Sequence, residues 1–391
     1  YTTLFRSRGA MYPWEAAWID DGETTPVLGG ADIVTGKPIP ILTGLLEQHI
    51  TADVAYGVWL YYSVTGDRDF MDRYGWEMLL ETGRFWASRA EWIEEAHRFE
   101  IRDVIGPDEY KEHVNNNAYT NHMAANNMRL ALRTMDTLSS EDGEASQRLR
   151  DRFSFPELRR DLQRVLEALY LPQPNAEGII PQFDGYFHLK HIDLAPYRNA
   201  GSVGTIYNDY NQEQIGTFQV HKQADTLVLM LLFNDLFPKE IQKINYDFYE
   251  ARTLHDSSLS RSSHCVLAAE MGENDTAYRF FEGCGGIDFG PKMNTSDAGV
   301  HTASMGGIWQ CAVYGFGGVR IVGEELQISP KLPLAWRSLR FRLVWHGQPL
   351  AVSVSRESLC VRNDGTLPVQ LLLNGSRTEI LPGSSAFGAK A

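Results

Sequence analysis

The sequence changes its pattern once, near Gly318, and this change constrains the fold most strongly. Before it, apolar residues recur at helical spacing; after it, short β-rich runs alternate with turn signals such as Asn363-Asp364-Gly365 and Asn374-Gly375. A chain of 391 residues is long enough for two domains. We therefore predict a mainly α domain over residues 1–318 and a small antiparallel β domain over residues 319–391.

The first domain is predicted to be a series of helices joined by long loops. One helix follows Glu47 and ends at Gly66, and a second runs from Asp67 to about Trp92. Nine helices in series favour a barrel or a bundle over a strict repeat. The remaining seven are predicted over approximately residues 117–137, 155–169, 212–233, 241–249, 258–271, 275–281 and 299–316.

Charge and composition exclude several classes of protein. The 36 basic and 50 acidic residues give a net charge of −14, which repels nucleic acid but still allows a small anion in a closed site. The longest apolar run, about residues 227–233, is too short to span a membrane, and no two of the four cysteines have zinc-like spacing. We expect a cytoplasmic protein that binds neither nucleic acid nor membranes and holds no metal.

Acidic residues are concentrated in IRDVIGPDEYKEHVNNNAYTN, residues 101–121, where Gly106-Pro107 interrupts regular structure. A carboxylic acid on such a loop can protonate a leaving-group oxygen if burial raises its pKa. The alternative is that these carboxylates only favour the dipole of the helix that follows. The candidate acids on this loop are Asp103, Asp108, Glu109 and Glu112.

Two other segments are candidates for sugar binding. Trp14 and Glu15 combine a ring that can cover the apolar face of a sugar with a carboxylate for its hydroxyls, although an aromatic core cluster would give the same pattern. Lys222 and Gln223 lie in a predicted apolar helix. Their polar groups need partners there, either a ligand hydroxyl or a loop carbonyl.

Hydroxyl-rich segments open two of the predicted helices. One is HDSSLS, with Ser257 and Ser258, and the other is GVHTASMGG, with His301. Free N–H groups at helix starts favour anions, so phosphate is a candidate ligand, while simple helix capping is the alternative. The sequence contains no nucleotide-binding glycine motif and no G-x-S-x-G nucleophile motif.

Six ordered segments carry a family resemblance: GAMYPWEAAW, EQHITADVAYGVW, residues 101–121, KQAD, HDSSLS and GVHTASMGGIW. Together they resemble glycoside hydrolase family 65, which includes maltose, trehalose, kojibiose and nigerose phosphorylases and some α-glucoside hydrolases. The resemblance implies an (α/α)6 barrel followed by a β-sandwich-like domain. It also implies a preceding β-sandwich, the first barrel helices and an F-W-D-[TS]-E-type motif. This sequence has none of these, so we expect it to be N-terminally truncated and inactive alone.

The resemblance also implies roles for single residues. It identifies Glu109 as the general acid of an inverting phosphorolysis that releases β-D-glucose 1-phosphate. Disaccharide and phosphate are then the partners, with no metal or organic cofactor. The binding residues would be Trp14, Glu15, Lys222 and Gln223 for the sugar, and Ser257, Ser258 and His301 for phosphate.

The segment GKPIPILTG resembles kojibiose-type phosphorylases and favours an α-1,2-linked disaccharide. Two alternatives stay open. A hydrolase of the same fold would need a carboxylate such as Asp297 near the phosphate contacts, and a truncated remnant would bind sugar without turnover. A homodimer is a compatible assembly.

Overall fold

The computed structural model describes residues 7–14, 27–290 and 299–388, without the side chains of residues 27–30. The described chain forms two compact units. The first unit contains the described parts of Tyr1–Tyr62, Asp67–Lys190 and Tyr210–Gln219. The second contains those of Ser63–Gly66, His191–Asp209 and Val220–Ala391. The division at residues 318 and 319 stays a prediction.

Helices dominate the chain up to residue 316, as predicted. Over the described ranges the α-helices are α1 (Thr43–Leu46), α2 (Ile50–Thr65), α3 (Arg68–Phe70), α4 (Trp76–Arg89), α5 (Ala118–Ser139), α6 (Glu144–Arg152), α7 (Phe155–Ala168), α8 (Ala195–Arg198), α9 (Gln212–Gly216), α10 (Asp225–Leu232), α11 (Lys239–Glu250), α12 (Ser260–Glu270), α13 (Asn274–Gly285) and α14 (Thr302–Gln310). Two π-helical turns, Met71–Gly75 and Cys311–Phe316, adjoin α4 and α14. None of these helices is long and apolar enough to cross a membrane.

The strands are short except in the C-terminal part. In the described chain they are β1 (Val27–Ala31), β2 (Pro38–Pro40), β3 (Glu91–Ile93), β4 (Arg98–Glu100), β5 (Val319–Val322), β6 (Glu325–Ile328), β7 (Ser338–Trp345), β8 (Gln348–Ser355), β9 (Leu359–Asn363), β10 (Val369–Leu373), β11 (Ser376–Ile380) and β12 (Ser385–Gly388).

The predicted helix from Asp67 begins where expected, because the Asp67 carboxylate accepts a hydrogen bond from the backbone N–H of Phe70 at 3.0 Å. It ends at Arg89 rather than near Trp92, since the chain turns into the β3–β4 hairpin. Helix α6 was not predicted. Its residues are mostly polar and it buries only Ser146 and Leu149, so it has no clear apolar stripe.

The single helix predicted over residues 212–233 is wrong. Residues 217–224 separate α9 from α10, and Phe218 and His221 make parallel bridges to Lys190 and Thr253. The backbone N–H groups of this segment therefore bond outside a helix; that of His221, for example, donates to the carbonyl of Arg252 at 2.9 Å. Phe218 and Val220 have high β propensity, but apolar spacing alone could not separate this segment from a buried helix.

The C-terminal residues form two four-stranded sheets, in the orders β11-β10-β6-β5 and β12-β9-β8-β7. All their pairings are antiparallel except β6 with β10. Alternate residues such as Val352, Val354, Leu371 and Leu373 are buried in one apolar cluster, which is the pattern of a β-sandwich.

One of the two predicted hairpins is confirmed. Asn374 and Gly375 have φ of 47° and 79° and join β10 to β11, as an Asn-Gly turn requires. Asn363-Asp364-Gly365 instead leads from β9 to β10, which lie in different sheets. The buried Asn363 amide donates to the carbonyls of Leu367 and Ile380, at 2.8 and 3.0 Å, and so fixes the crossing.

Candidate active site

The loop that carries Glu109 is fixed to the rest of the first unit by backbone hydrogen bonds. The backbone N–H of Ile105 donates to the carbonyl of Leu46 at 2.9 Å, and Val104 and Val114 pair across the loop's base. Lys111 is 1% exposed, and its Nζ donates to the carbonyls of Ile215 and Phe218 at 2.9 and 2.6 Å. A buried ammonium needs such acceptors, so Lys111 anchors the loop rather than binding a ligand.

The four candidate carboxylates of this loop have different surroundings. Asp108 is fully buried and accepts a hydrogen bond from Gln182 at 3.1 Å, and Asp103 is exposed and pairs with His113 at 2.7 Å. Glu109 and Glu112 are half-buried. Burial raises the pKa of Glu112, while His113 opposes the rise and Glu109 adds to it. These two are therefore the carboxylates of the loop that combine partial burial with access.

A buried ion network next to this loop was not predicted. His49 lies between two carboxylates, with Nε2 3.1 Å from Glu47 Oε1 and Nδ1 2.7 Å from Asp53 Oδ2. Asp53 also accepts a hydrogen bond from the Tyr119 hydroxyl at 2.8 Å. Burial opposes the charge on His49, but Asp53 and Glu47 outweigh it and raise the pKa of His49 to about 10. His49 is thus an imidazolium at neutral pH.

Glu47 connects this network to two of the predicted site residues. Burial raises the pKa of Glu47; hydrogen bonds from His49 and Trp14 oppose this, and the charge of Glu109 adds to it. Trp14 therefore hydrogen-bonds to Glu47, and Glu109 is near enough for its charge to act on Glu47. The spacing of Glu47, His49 and Asp53 at the start of α2 was the signal in the sequence that could have revealed this network. Carboxylates at a helix start, however, commonly only favour the helix dipole. Glu15 lies outside the described residues.

Lys222 and Gln223 are in the second unit and are not on a helix, which corrects the sequence prediction. They lie in the irregular segment before α10, and Gln223 is 9% exposed. The His221–Thr253 bridge, with the N–H of Leu254 donating to the His221 carbonyl at 2.9 Å, sets this segment beside the chain that leads into HDSSLS.

Ser257 and Ser258 are half-buried and come just before α12. The N-cap residue of α12 is Leu259, which makes no side-chain cap, and the Ser257 hydroxyl accepts from the N–H of Leu259 at 3.2 Å. The two serines therefore do not occupy the N-cap position that the capping alternative required.

His301 is the N-cap residue of α14, and its side chain does not cap the helix. It is bound instead to Asp288, with Nδ1 2.6 Å from Oδ1 and the backbone N–H 3.1 Å from Oδ2. The hydrogen bond from the His301 side chain is the largest of the effects that lower the pKa of Asp288. Because Asp288 accepts from Nδ1–H, Nε2 is left for another partner. Asp297 lies outside the described residues.

The predicted residues thus fall into two groups, one in each unit. In the first unit Trp14 hydrogen-bonds to Glu47, and the charge of Glu109 acts on Glu47. The second sets Lys222 and Gln223 next to the segment that leads to Ser257 and Ser258, and holds His301 against Asp288. Glu109 is thus the half-buried acid of the first group, and the second group contains hydroxyls and an imidazole.

Comparison with known proteins defines the class. The family model "Glycosyl hydrolase family 65 central catalytic domain" matches residues 5–310, and "Glycosyl hydrolase family 65, C-terminal domain" matches residues 319–380. The chain belongs to glycoside hydrolase family 65.

Among its relatives are kojibiose phosphorylases. That of Halothermothrix orenii is 47% identical over 90% of this chain and 45% of its own length. The 1,2-alpha-glucosylglycerol phosphorylase of Bacillus selenitireducens is 36% identical over 95% of this chain and 49% of its own. A solved protein from the human microbiome, provisionally named a kojibiose phosphorylase, superposes with a TM-score of 0.78 at 26% identity, over 87% of this chain and 50% of that one. The chain spans about half the length of the curated relatives it matches.

Proposed function

We propose that this protein is an inverting phosphorylase of α-glucosides, with a preference for α-1,2-linked disaccharides such as kojibiose. The observation that carries the proposal is that the chain holds a group suited to donate a proton and groups suited to bind an anion. One unit holds a half-buried acid on an anchored loop, and the other holds hydroxyl and imidazole groups that are suited to an anion.

The mechanism uses these residues in turn. Glu109 donates its proton to the glycosidic oxygen, which lets the acceptor sugar leave. Phosphate, held by Ser257, Ser258 and the Nε2 of His301, attacks the anomeric carbon from the opposite face and gives β-D-glucose 1-phosphate. Trp14, Glu15, Lys222 and Gln223 hold the glucosyl group. Phosphate is already an anionic nucleophile, so no second carboxylate, metal or organic cofactor is required.

Two further proposals follow from family membership. The helices belong to an (α/α)6 barrel in the whole protein. The α-1,2 preference is supported by the GKPIPILTG segment and by the names of the kojibiose and 1,2-alpha-glucosylglycerol phosphorylases.

The test compares substrates with and without phosphate. The purified whole protein is incubated with kojibiose, nigerose, maltose, trehalose or glucosylglycerol, and sugar phosphate is quantified by 31P NMR. We expect phosphate-dependent cleavage, fastest for an α-1,2-linked substrate. Equal glucose release in phosphate-free buffer would instead indicate a hydrolase, and a fastest reaction with another linkage would overturn the α-1,2 assignment.

A further inference from the structure

A carboxylate and two imidazoles meet behind the HDSSLS segment in the second unit. Glu250, the last residue of α11, has Oε1 3.4 Å from Nε2 of His255 and also hydrogen-bonds to Nδ1 of His264 on α12. His264 is fully buried, and the side chains of His255 and Glu250 are 12% and 29% exposed. Neither the family match nor the sequence analysis assigns a role to Glu250.

These three residues have the donor types of a metal site, with one ligand atom from each within 4.8 Å of the others. Both imidazoles, however, already hydrogen-bond directly to the Glu250 carboxylate. A cation would have to break both bonds before it could bind. A hydrogen-bonded network therefore accounts for the arrangement.

The protonation states of Glu250 and His255 determine which atoms of this network donate hydrogen bonds and which accept them. Burial opposes ionisation of Glu250, but His264 and His255 outweigh it and hold the pKa of this carboxyl below its usual range. Burial lowers the pKa of His255 to about 4, although Glu250 opposes the shift. At neutral pH an anionic Glu250 can only accept, so the proton of neutral His255 is on Nε2.

That tautomer fixes a hydrogen bond at the start of α12. With its proton on Nε2, His255 must accept at Nδ1, and the hydroxyl of Ser260, 2.9 Å away, must donate to it. His255 has φ of 57°, a left-handed conformation that an ordinary residue keeps only when its surroundings hold it. The His255–Ser260 bond closes the short loop that contains Ser257 and Ser258.

We propose that Glu250 is a positioning residue for phosphate, acting through His255 and Ser260 to fix the loop of Ser257 and Ser258. This inference rests on the proposed function, because it takes those serines as phosphate contacts. Glu250 itself touches neither substrate nor phosphate in this assignment; it determines where the two hydroxyls lie.

The test is the KM for each substrate in Glu250→Gln and Ser260→Ala, measured with the purified whole protein. We expect Glu250→Gln to raise the KM for phosphate roughly tenfold, the order of effect of hydrogen bonds to a charged group. Ser260→Ala should raise it less, and the KM for disaccharide should change little in both. The double variant should match Glu250→Gln alone, because both changes break one chain of bonds.

Glu240→Gln is the matched control, since Glu240 is an exposed acid in the first turn of the same helix. It should leave both KM values unchanged. An equal rise in both KM values in Glu250→Gln, or no rise for phosphate, would overturn the proposal.

A second readout separates this proposal from the proposed function. Inorganic phosphate should raise the melting temperature of the unmodified protein and of Glu240→Gln more than that of Glu250→Gln and Ser260→Ala. If cleavage needs no phosphate, the proposed function fails. The difference between the phosphate-induced shifts in melting temperature would still test the role of Glu250. Equal phosphate-induced shifts of the melting temperature in all four proteins would contradict the positioning role of Glu250. If Glu250→Gln does not fold, the comparison is made with the milder Ser260→Ala.

Discussion

The Nδ1 atom of His301 lies 2.6 Å from Asp288 Oδ1, and the backbone N–H of the same histidine lies 3.1 Å from Asp288 Oδ2. One carboxylate therefore fixes both the ring and the start of α14. This arrangement leaves only Nε2 of His301 for phosphate. It also identifies Asp288 as a residue that supports the proposed phosphate site.

The Asp288–His301 pair leads to the first prediction. Asp288→Asn removes the charge but keeps the shape, so we expect the KM for phosphate to rise about tenfold while the KM for disaccharide stays within twofold. Steady-state kinetics with each substrate varied in turn checks this. Asp275→Asn, an acid in the first turn of α13, serves as control, and a change confined to the disaccharide KM would contradict the role.

Glu109→Gln should reduce kcat by about 10²–10⁴-fold and leave the melting temperature nearly unchanged, because the change removes a proton donor from a half-buried position. Asp103→Asn is the matched control on the same loop. Asp103 is exposed and has φ of 55°, which Asn tolerates well. Comparable kcat values for Glu109→Gln and Asp103→Asn would remove Glu109 from the acid role.

Lys111→Met tests the anchor of the acid loop. The substitution removes the ammonium donor from the carbonyls of Ile215 and Phe218, although the Ile215 carbonyl keeps a hydrogen bond from the Phe218 N–H at 3.1 Å. We therefore expect the free energy of unfolding to fall by about 2 kcal/mol. Denaturant unfolding measures it. Lys190→Met, at an exposed lysine, should change it by less than about 0.5 kcal/mol. Similar losses in both variants would show that Lys111 is not an anchor.

The pH dependence of stability tests the His49 network. The folded pKa of His49, about 10, is above the unfolded value near 6.5. The ion network should therefore stabilise the fold fully below about pH 6.5 and lose this contribution as the pH rises toward 10. Relative to His49→Gln, the unmodified protein should lose stability between pH 7 and pH 10. Parallel stability curves for the two proteins would contradict the charged state.

Sequence patterns predicted the elements whose signals are local. Asp67 starts a helix and Asn374-Gly375 makes a turn, because each acts through bonds to nearby backbone.

Sequence patterns failed where residues distant in sequence determine the local structure. Residues 217–224 do not form a helix, because Phe218 and His221 pair with Lys190 and Thr253, which no window around them contains. Asn363-Asp364-Gly365 has a hairpin composition, but burial of the Asn363 amide places it at a crossing between sheets.

The candidate site shows the same limit. Glu109 and the hydroxyl segments could be proposed from their motifs, since each is contiguous in sequence. Their supporting residues could not be predicted in this way. Asp288 precedes His301 by 13 residues, and the charge of Glu109 acts on Glu47 only because the fold brings these distant residues near each other. A carboxylate has such a supporting role only because of the group that it contacts in the folded chain.

The configuration of the sugar phosphate tests the central claim most directly. The purified whole protein is incubated with kojibiose and inorganic phosphate, and the anomeric configuration of the sugar phosphate is determined by 1H NMR. The account predicts β-D-glucose 1-phosphate in amounts equal to free glucose, and no cleavage when phosphate is omitted. Formation of α-D-glucose 1-phosphate, or release of two glucose molecules per kojibiose without phosphate, would contradict it.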